Sequence, residues 1–116
     1  MKYINIVYEY DYDETTDSII NIGKEDILLV PDFVCNNLNS IVQNFFDWVS
    51  REVYHAEKSK HPEYWTYLSD GSACIGINSE HFVNWLNDNY FSFENQKSIV
   101  VKVETVYDPN YPLVEF

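Results

Sequence analysis

Residues 64–91, YWTYLSDGSACIGINSEHFVNWLNDNYF, leave little freedom in how they fold. Asp70-Gly71 is a two-residue hairpin signal, because a type I′ turn needs positive φ at both central positions. Ahead of it Trp65, Tyr67 and Leu68 suit a pleated surface, and after it Ala73, Ile75 and Ile77 alternate toward one face. Ser79 predicts an N-cap, with Glu80 in the first turn, where the helix dipole favours negative charge. Phe82, Val83, Leu86 and Tyr90 recur at helical spacing, and Asn89 suits the end of that helix. The stretch predicts strand, turn, strand and amphipathic helix. No chemistry is written on it.

The flanking segments supply the rest of a sheet and a longer helix. Residues 2–10 alternate, with Ile4, Ile6, Tyr8 and Tyr10 on one face and Tyr3, Asn5, Val7 and Glu9 on the other, which predicts a first strand. Residues 11–17 are acidic and polar and predict a loop. Two β-prone runs, 18–22 and 27–30, surround Gly23-Lys24-Glu25-Asp26 and predict a second hairpin, ended by Pro31-Asp32. Val34, Leu38, Ile41, Val42, Phe45, Phe46, Val49 and Val53 then form the apolar stripe of the longest helix. It starts between residues 32 and 37 and frays through 55–62. Residues 93–96 connect to a last strand, 98–107, in which Ile99, Val101 and Val103 share a face. The tail beyond Asp108-Pro109 is extended and edge-like, since Pro109 and Pro112 cannot donate to a ladder.

This order predicts an α+β fold in a single domain, residues 1–116: a mainly antiparallel β-sheet with two helices packed on one face. Leaving out the inserted hairpin gives β-α-β-β-α-β, the split arrangement of ferredoxin-like folds. At 116 residues the chain can bury a working core without metal or disulfide staples. Cys35 and Cys74 lie far apart with no paired spacing and predict packed, reduced thiols. The N-terminus lacks a signal-peptide apolar region and no run is long enough to span a membrane, so a cytoplasmic protein is expected. The richness in Asn, Ile and Tyr suits an AT-rich bacterial or phage genome.

Charge is the strongest global feature. The net charge is −12 and it is unevenly spread. Residues 3–50 carry nine acids against Lys24 alone, and residues 61–96 carry five acids with no Lys or Arg. Such a balance opposes nucleic-acid backbones and anionic membranes and steers a protein toward basic partners. The plainer reading is solubility.

Catalytic and metal-binding signals are weak. Asp11, Asp13, Thr15 and Asp17 imitate the start of a calcium loop, but Thr16 and Ile22 stand where Gly and Glu are needed. His55, Glu57 and His61 match no zinc spacing. Cys74 and His81 lack an orienting third group. Glu25 and Asp26 are adjacent and point apart. Glycines at 23, 71 and 76 cannot build a phosphate loop, and bases are too few for nucleic-acid binding. The chain is therefore expected to be no enzyme and to need no cofactor or metal.

Surface remains. Tyr3, Tyr12, Trp48, Tyr64 and Trp85 fall on faces that read as polar, with Asp11, Asp13, Glu14, Asp47, Glu63 and Asp88 around them. Aromatic anchors ringed by carboxylates suit a hot-spot patch for a basic protein. The competing reading makes the tyrosines boundary residues with wet hydroxyls. The expected partner-binding set is Asp11, Tyr12, Asp13, Glu14, Asp17, Asp47, Trp48, Trp85 and Asp88. In size, charge and lack of chemistry the chain resembles the immunity proteins of bacterial toxin systems and the anti-defence inhibitors of phages, with no family motif behind the likeness. That profile implies an inhibitor of a basic, nucleic-acid-handling partner such as a nuclease or toxin. The alternative is a structural module that self-associates, as a homodimer, through the last strand or the tail.

Overall fold

The computed structural model describes residues 1–13, 15–16, 18–90, 100–104 and 108–116, and of residues 9–13 and 18–24 the backbone alone. The fold is α+β. Strands β1 (Lys2–Asp13) and β2 (Ser18–Val30) form a long antiparallel hairpin. Helices α1 (Asp32–Asn36) and α2 (Leu38–Val49) follow, then a π-turn, Ser50–Tyr54, and a 3-10 turn, Pro62–Tyr64. A short hairpin of β3 (Trp65–Tyr67) and β4 (Ala73–Ile75) leads into α3 (Ser79–Asn89), and β5 (Val101–Val103) and β6 (Leu113–Glu115) complete the order.

The main sheet runs β5-β2-β1-β6, antiparallel except for the parallel pair β1 and β6. Strands β3 and β4 pair with each other in a separate sheet. The ferredoxin-like order, in which the central hairpin shares the main sheet, is therefore not recovered among the described residues. One face of β1 and β2 supplies Ile4, Ile6, Tyr8, Leu28 and Val30 to a single core cluster with α2 and α3. Phe45 is its hub, with ring centroids 5.2 Å from Phe82, 5.1 Å from Trp85 and 5.7 Å from Phe116. Tilted and edge-to-face pairs of this kind add to the burial of their area.

The expected hairpin at residues 18–30 is one continuous strand instead. Lys24 to Asp26 stay in register with β1, and the glycine is absorbed by a bulge: Ile22 and Gly23 fall between the pairs Tyr8↔Lys24 and Tyr10↔Asn21, where β1 has Glu9 alone. The loop expected at 11–17 is likewise shorter, because β1 continues to Asp13 and the turn lies at Thr15 and Thr16. Glu25 and Asp26 do point apart, one exposed and one buried. The Asp26 carboxylate accepts from the Tyr8 hydroxyl at 3.1 Å and from the Ser79 hydroxyl, with Lys102 Nζ 3.6 Å away. It joins β2 to β1, α3 and β5.

Of the predicted helical stripe, Val34, Leu38, Ile41, Phe45, Val49 and Val53 are buried, and Val42 and Phe46 are half-buried. The helix is interrupted at Asn37, whose Nδ2 donates to the Phe33 carbonyl at 2.8 Å, a side-chain bond that competes with the backbone ladder. At the other end His55 N–H donates to the Ser50 carbonyl at 3.0 Å, closing the π-turn.

Two details of the central hairpin and helix differ from expectation. Gly71 N–H donates to the Leu68 carbonyl at 3.1 Å, so Ser69 and Asp70 are the central turn residues and Gly71, at φ 88°, follows them. This is a three-residue loop with a glycine bulge, and positive φ is needed at Gly71. Asn78, not Ser79, caps α3: its Oδ1 accepts the His81 N–H at 3.0 Å. Ser79 is buried in the first turn, and its hydroxyl is committed to Asp26.

The final segment turns the opposite way from its pattern. Asn87 grips the backbone of Val100 through two 3.0 Å hydrogen bonds, and Val100 is fully buried while Val101 is exposed. Ile99 lies outside the described residues. The edge-strand reading of the tail holds, because β6 lies beside β1, with Asn5 N–H bonded to the Pro112 carbonyl at 2.8 Å. No described helix is long and apolar enough to cross a membrane.

Candidate partner-binding groove

Amphipathic helices α2 and α3 pack their apolar stripes on Phe45 and leave their C-terminal halves side by side. Between them lies a groove of about 560 Å³ lined by Asn44, Asp47, Trp48, Ser50, Arg51, Trp85 and Asn89. Three residues singled out from the sequence, Asp47, Trp48 and Trp85, meet there.

Their surroundings differ. Trp85 is 5% exposed and belongs to the core, contrary to its expected place on a polar face. Phe82, Trp85 and Leu86 form one apolar stripe at i, i+3, i+4, and this stripe faces Phe45. The Trp85 Nε1–H has no acceptor among the described residues. Trp48 is half-buried, its indole 5.0 Å from the His61 ring and 5.9 Å from Tyr64. Tyr64, expected on the surface, is buried as well. Burial, with Glu63 and Asp88 nearby, pushes its phenol pKa well above the ordinary range.

The groove's rim is polar. Asp47 is exposed, and its carboxylate accepts from Gln43 Nε2 at 3.1 Å. Arg51 also lines the groove, its Nε directed to the Asp47 carbonyl at 3.4 Å. Asn44 donates to the Tyr90 hydroxyl at 3.0 Å, and Tyr90 in turn lies 5.4 Å from Trp85 and 6.3 Å from the exposed Phe33. An aromatic track thus runs from Phe33 through Tyr90 to Trp85, which lines the groove together with Trp48. Neither α2 nor α3 carries a base in its last turn, where a helix dipole favours one.

Asp88 is exposed on the last turn of α3 and does not line the groove. Asp11, Tyr12 and Asp13 have their backbone on β1, and the run resembling a calcium loop is extended there rather than coiled. Their side chains, and Glu14 and Asp17 altogether, lie outside the described residues.

Elsewhere the titratable groups serve local contacts. Cys35 and Cys74 are free thiols, and Cys74 Sγ leans on the Thr66 carbonyl at 3.7 Å. Both nitrogens of His81 are engaged, by Asn78 and Glu63. Among the described residues no three His, Cys, Asp or Glu side chains converge on a metal position. The Met1 ammonium lowers the Asp32 pKa and Lys60 lowers that of Glu52, in both cases by a direct hydrogen bond on the surface. Comparison with family models, curated proteins and solved structures finds no significant match.

Proposed function

We propose that this chain is a small acidic binding protein that engages and blocks a basic, nucleic-acid-handling protein, in the manner of a toxin-immunity protein or a phage anti-defence inhibitor. The observation that carries the reading is the groove, where Trp48 and Trp85 form apolar walls beside the Asp47 carboxylate in a chain of net charge −12. Carboxylates raise the rate of encounter with a basic surface, and aromatic anchors slow dissociation. In this reading the chain performs no catalysis, needs no cofactor and acts in the cytoplasm. The acidic end of the β1–β2 hairpin, with Asp11, Asp13, Glu14 and Asp17, supplies long-range attraction, while Asp47 and Trp48 make contact.

The test is capture of the partner from the native host, followed by reconstitution from purified components. Stoichiometric inhibition is expected, with an association rate that falls steeply with salt, because charges separated by more than about 8 Å are screened at physiological ionic strength. Neutralising the four hairpin acids should slow association about tenfold, with less effect on dissociation, and Trp48→Ala should do the reverse. An association rate indifferent to salt would refute the electrostatic mechanism.

A second reading, self-association, draws on the sheet face turned away from the helices. Val101, Leu29 and Tyr3 lie in one cross-strand row there, Leu113 stands beside Asn5, and Tyr3, Val101 and Leu113 are exposed. Concentration-dependent sedimentation distinguishes the two, since a monomer at high micromolar concentration removes the second.

A further inference from the structure

The capping box of α3 uses a histidine where such boxes ordinarily use Glu or Gln. His81 Nδ1 lies 3.3 Å from the Asn78 backbone nitrogen, and the Asn78 side chain returns the bond to His81 N–H. Across the ring, Nε2 lies 3.0 Å from the Glu63 carbonyl oxygen. The face of the ring stacks on Tyr64 with centroids 4.2 Å apart. A backbone N–H only donates and a carbonyl only accepts. One species alone satisfies both contacts: neutral imidazole with its proton on Nε2. A second proton on Nδ1 would set donor against donor and put positive charge in the first helical turn, where the dipole opposes it.

We infer that His81 is a pH-operated cap of α3: at neutral pH its Nδ1 accepts the Asn78 N–H, and protonation of Nδ1 breaks that bond while Nε2–H stays on the Glu63 carbonyl of the Pro62–Tyr64 turn. The ring's stacking partner leads to the groove. Tyr64 supports the Trp48 indole, and His61, with Nδ1 3.3 Å from the Glu63 carboxylate, packs edge-on against the same indole. The groups facing His81 are Glu63 and Tyr64 from the turn and Glu80 from its own helix. The two carboxylates and the carbonyl bond favour the charged ring; burial opposes them, prevails, and holds the ring's pKa below its ordinary value of about 6.5. The unfolded chain therefore takes up the proton first. Stability is complete above about pH 6.5 and declines as the pH falls below it.

His81→Gln decides the matter, because glutamine suits the same capping position and cannot titrate. The intact protein is followed by nuclear magnetic resonance from pH 7.5 to 5, at the His81 ring nitrogens, the Asn78 and His81 amides and the Trp48 indole. The wild type should show an unprotonated Nδ1 at neutral pH, then one joint transition of all these signals. Its melting temperature should fall across the transition by more than that of the variant does. His61→Gln should retain the transition. The inference is overturned if His81→Gln keeps the wild-type transition, or if the ring titrates while the two amides stay still. Should His81→Gln fail to fold, the wild-type ring and amide signals decide alone.

Discussion

The two walls of the groove are both tryptophans on the C-terminal halves of helices, yet they are supported by different physics. Trp85 stands among Phe45, Phe82 and Tyr90, all aromatic and two of them fully buried. Trp48 rests on His61 and Tyr64, a polar stack tied to Glu63 and His81. The first wall is set by close packing, which is indifferent to pH and salt. The second is set by ring contacts whose partners are held in turn by hydrogen bonds of His81 and Glu63. A residue of the first kind cannot be removed to test binding without testing the fold as well. A test of the proposed binding therefore falls to Trp48 and Asp47, where the expected loss of stability is smaller.

Substitution should expose this contrast directly. Trp85→Ala empties part of the aromatic core and should destabilise by about 3–5 kcal/mol, read from the denaturant midpoint. Gly71→Val should cost about 1–3 kcal/mol. No atom crowds an added Cβ at Gly71, so that cost comes from its φ of 88° alone. Trp48→Ala should cost about 1–2 kcal/mol, well below Trp85→Ala. Equal losses at the two tryptophans would abolish the distinction between the walls. The smallest effect belongs to additives: with free thiols at Cys35 and Cys74, melting curves with and without EDTA or reductant should coincide. A shift of more than about 5 °C would contradict this.

Much of the fold was legible because apolar periodicity is a direct record of burial. The stripe from Val34 to Val53 and the alternation of Ile4, Ile6 and Tyr8 needed nothing else. What escaped was decided by side chains acting on distant backbone. Asn87 turns Val100 inward, although Ile99, Val101 and Val103 carry the stronger β pattern. Asp26 takes the hydroxyl of Ser79 and leaves the cap to Asn78. Gly23 marks a bulge rather than a turn, a distinction that depends on the pairing of β1 and not on the glycine. Asp47 and Trp48 were singled out by residue type alone, and the fold places both on the lining of the groove. Trp85 was assigned to the wrong environment although it completes the stripe with Phe82 and Leu86, a signal the sequence carried. The roles of His81 and Asn44 had no signal short of three-dimensional contact.

The pairing of β1 with β6 has a consequence for the order of assembly. The Asn5 side chain donates to the Asp108 carbonyl, a partner 103 residues away in the chain, and the rungs that pair β1 with β6 are as remote. The hairpin partner β2 is available as soon as residue 30 has been made. The other edge of β1 must wait for nearly all of the remaining chain. Closing so large a loop is slow, and until it closes β1 offers unpaired amides to any other extended segment. During synthesis on the ribosome, this edge is where a nascent copy is most open to capture by its neighbours on the same message.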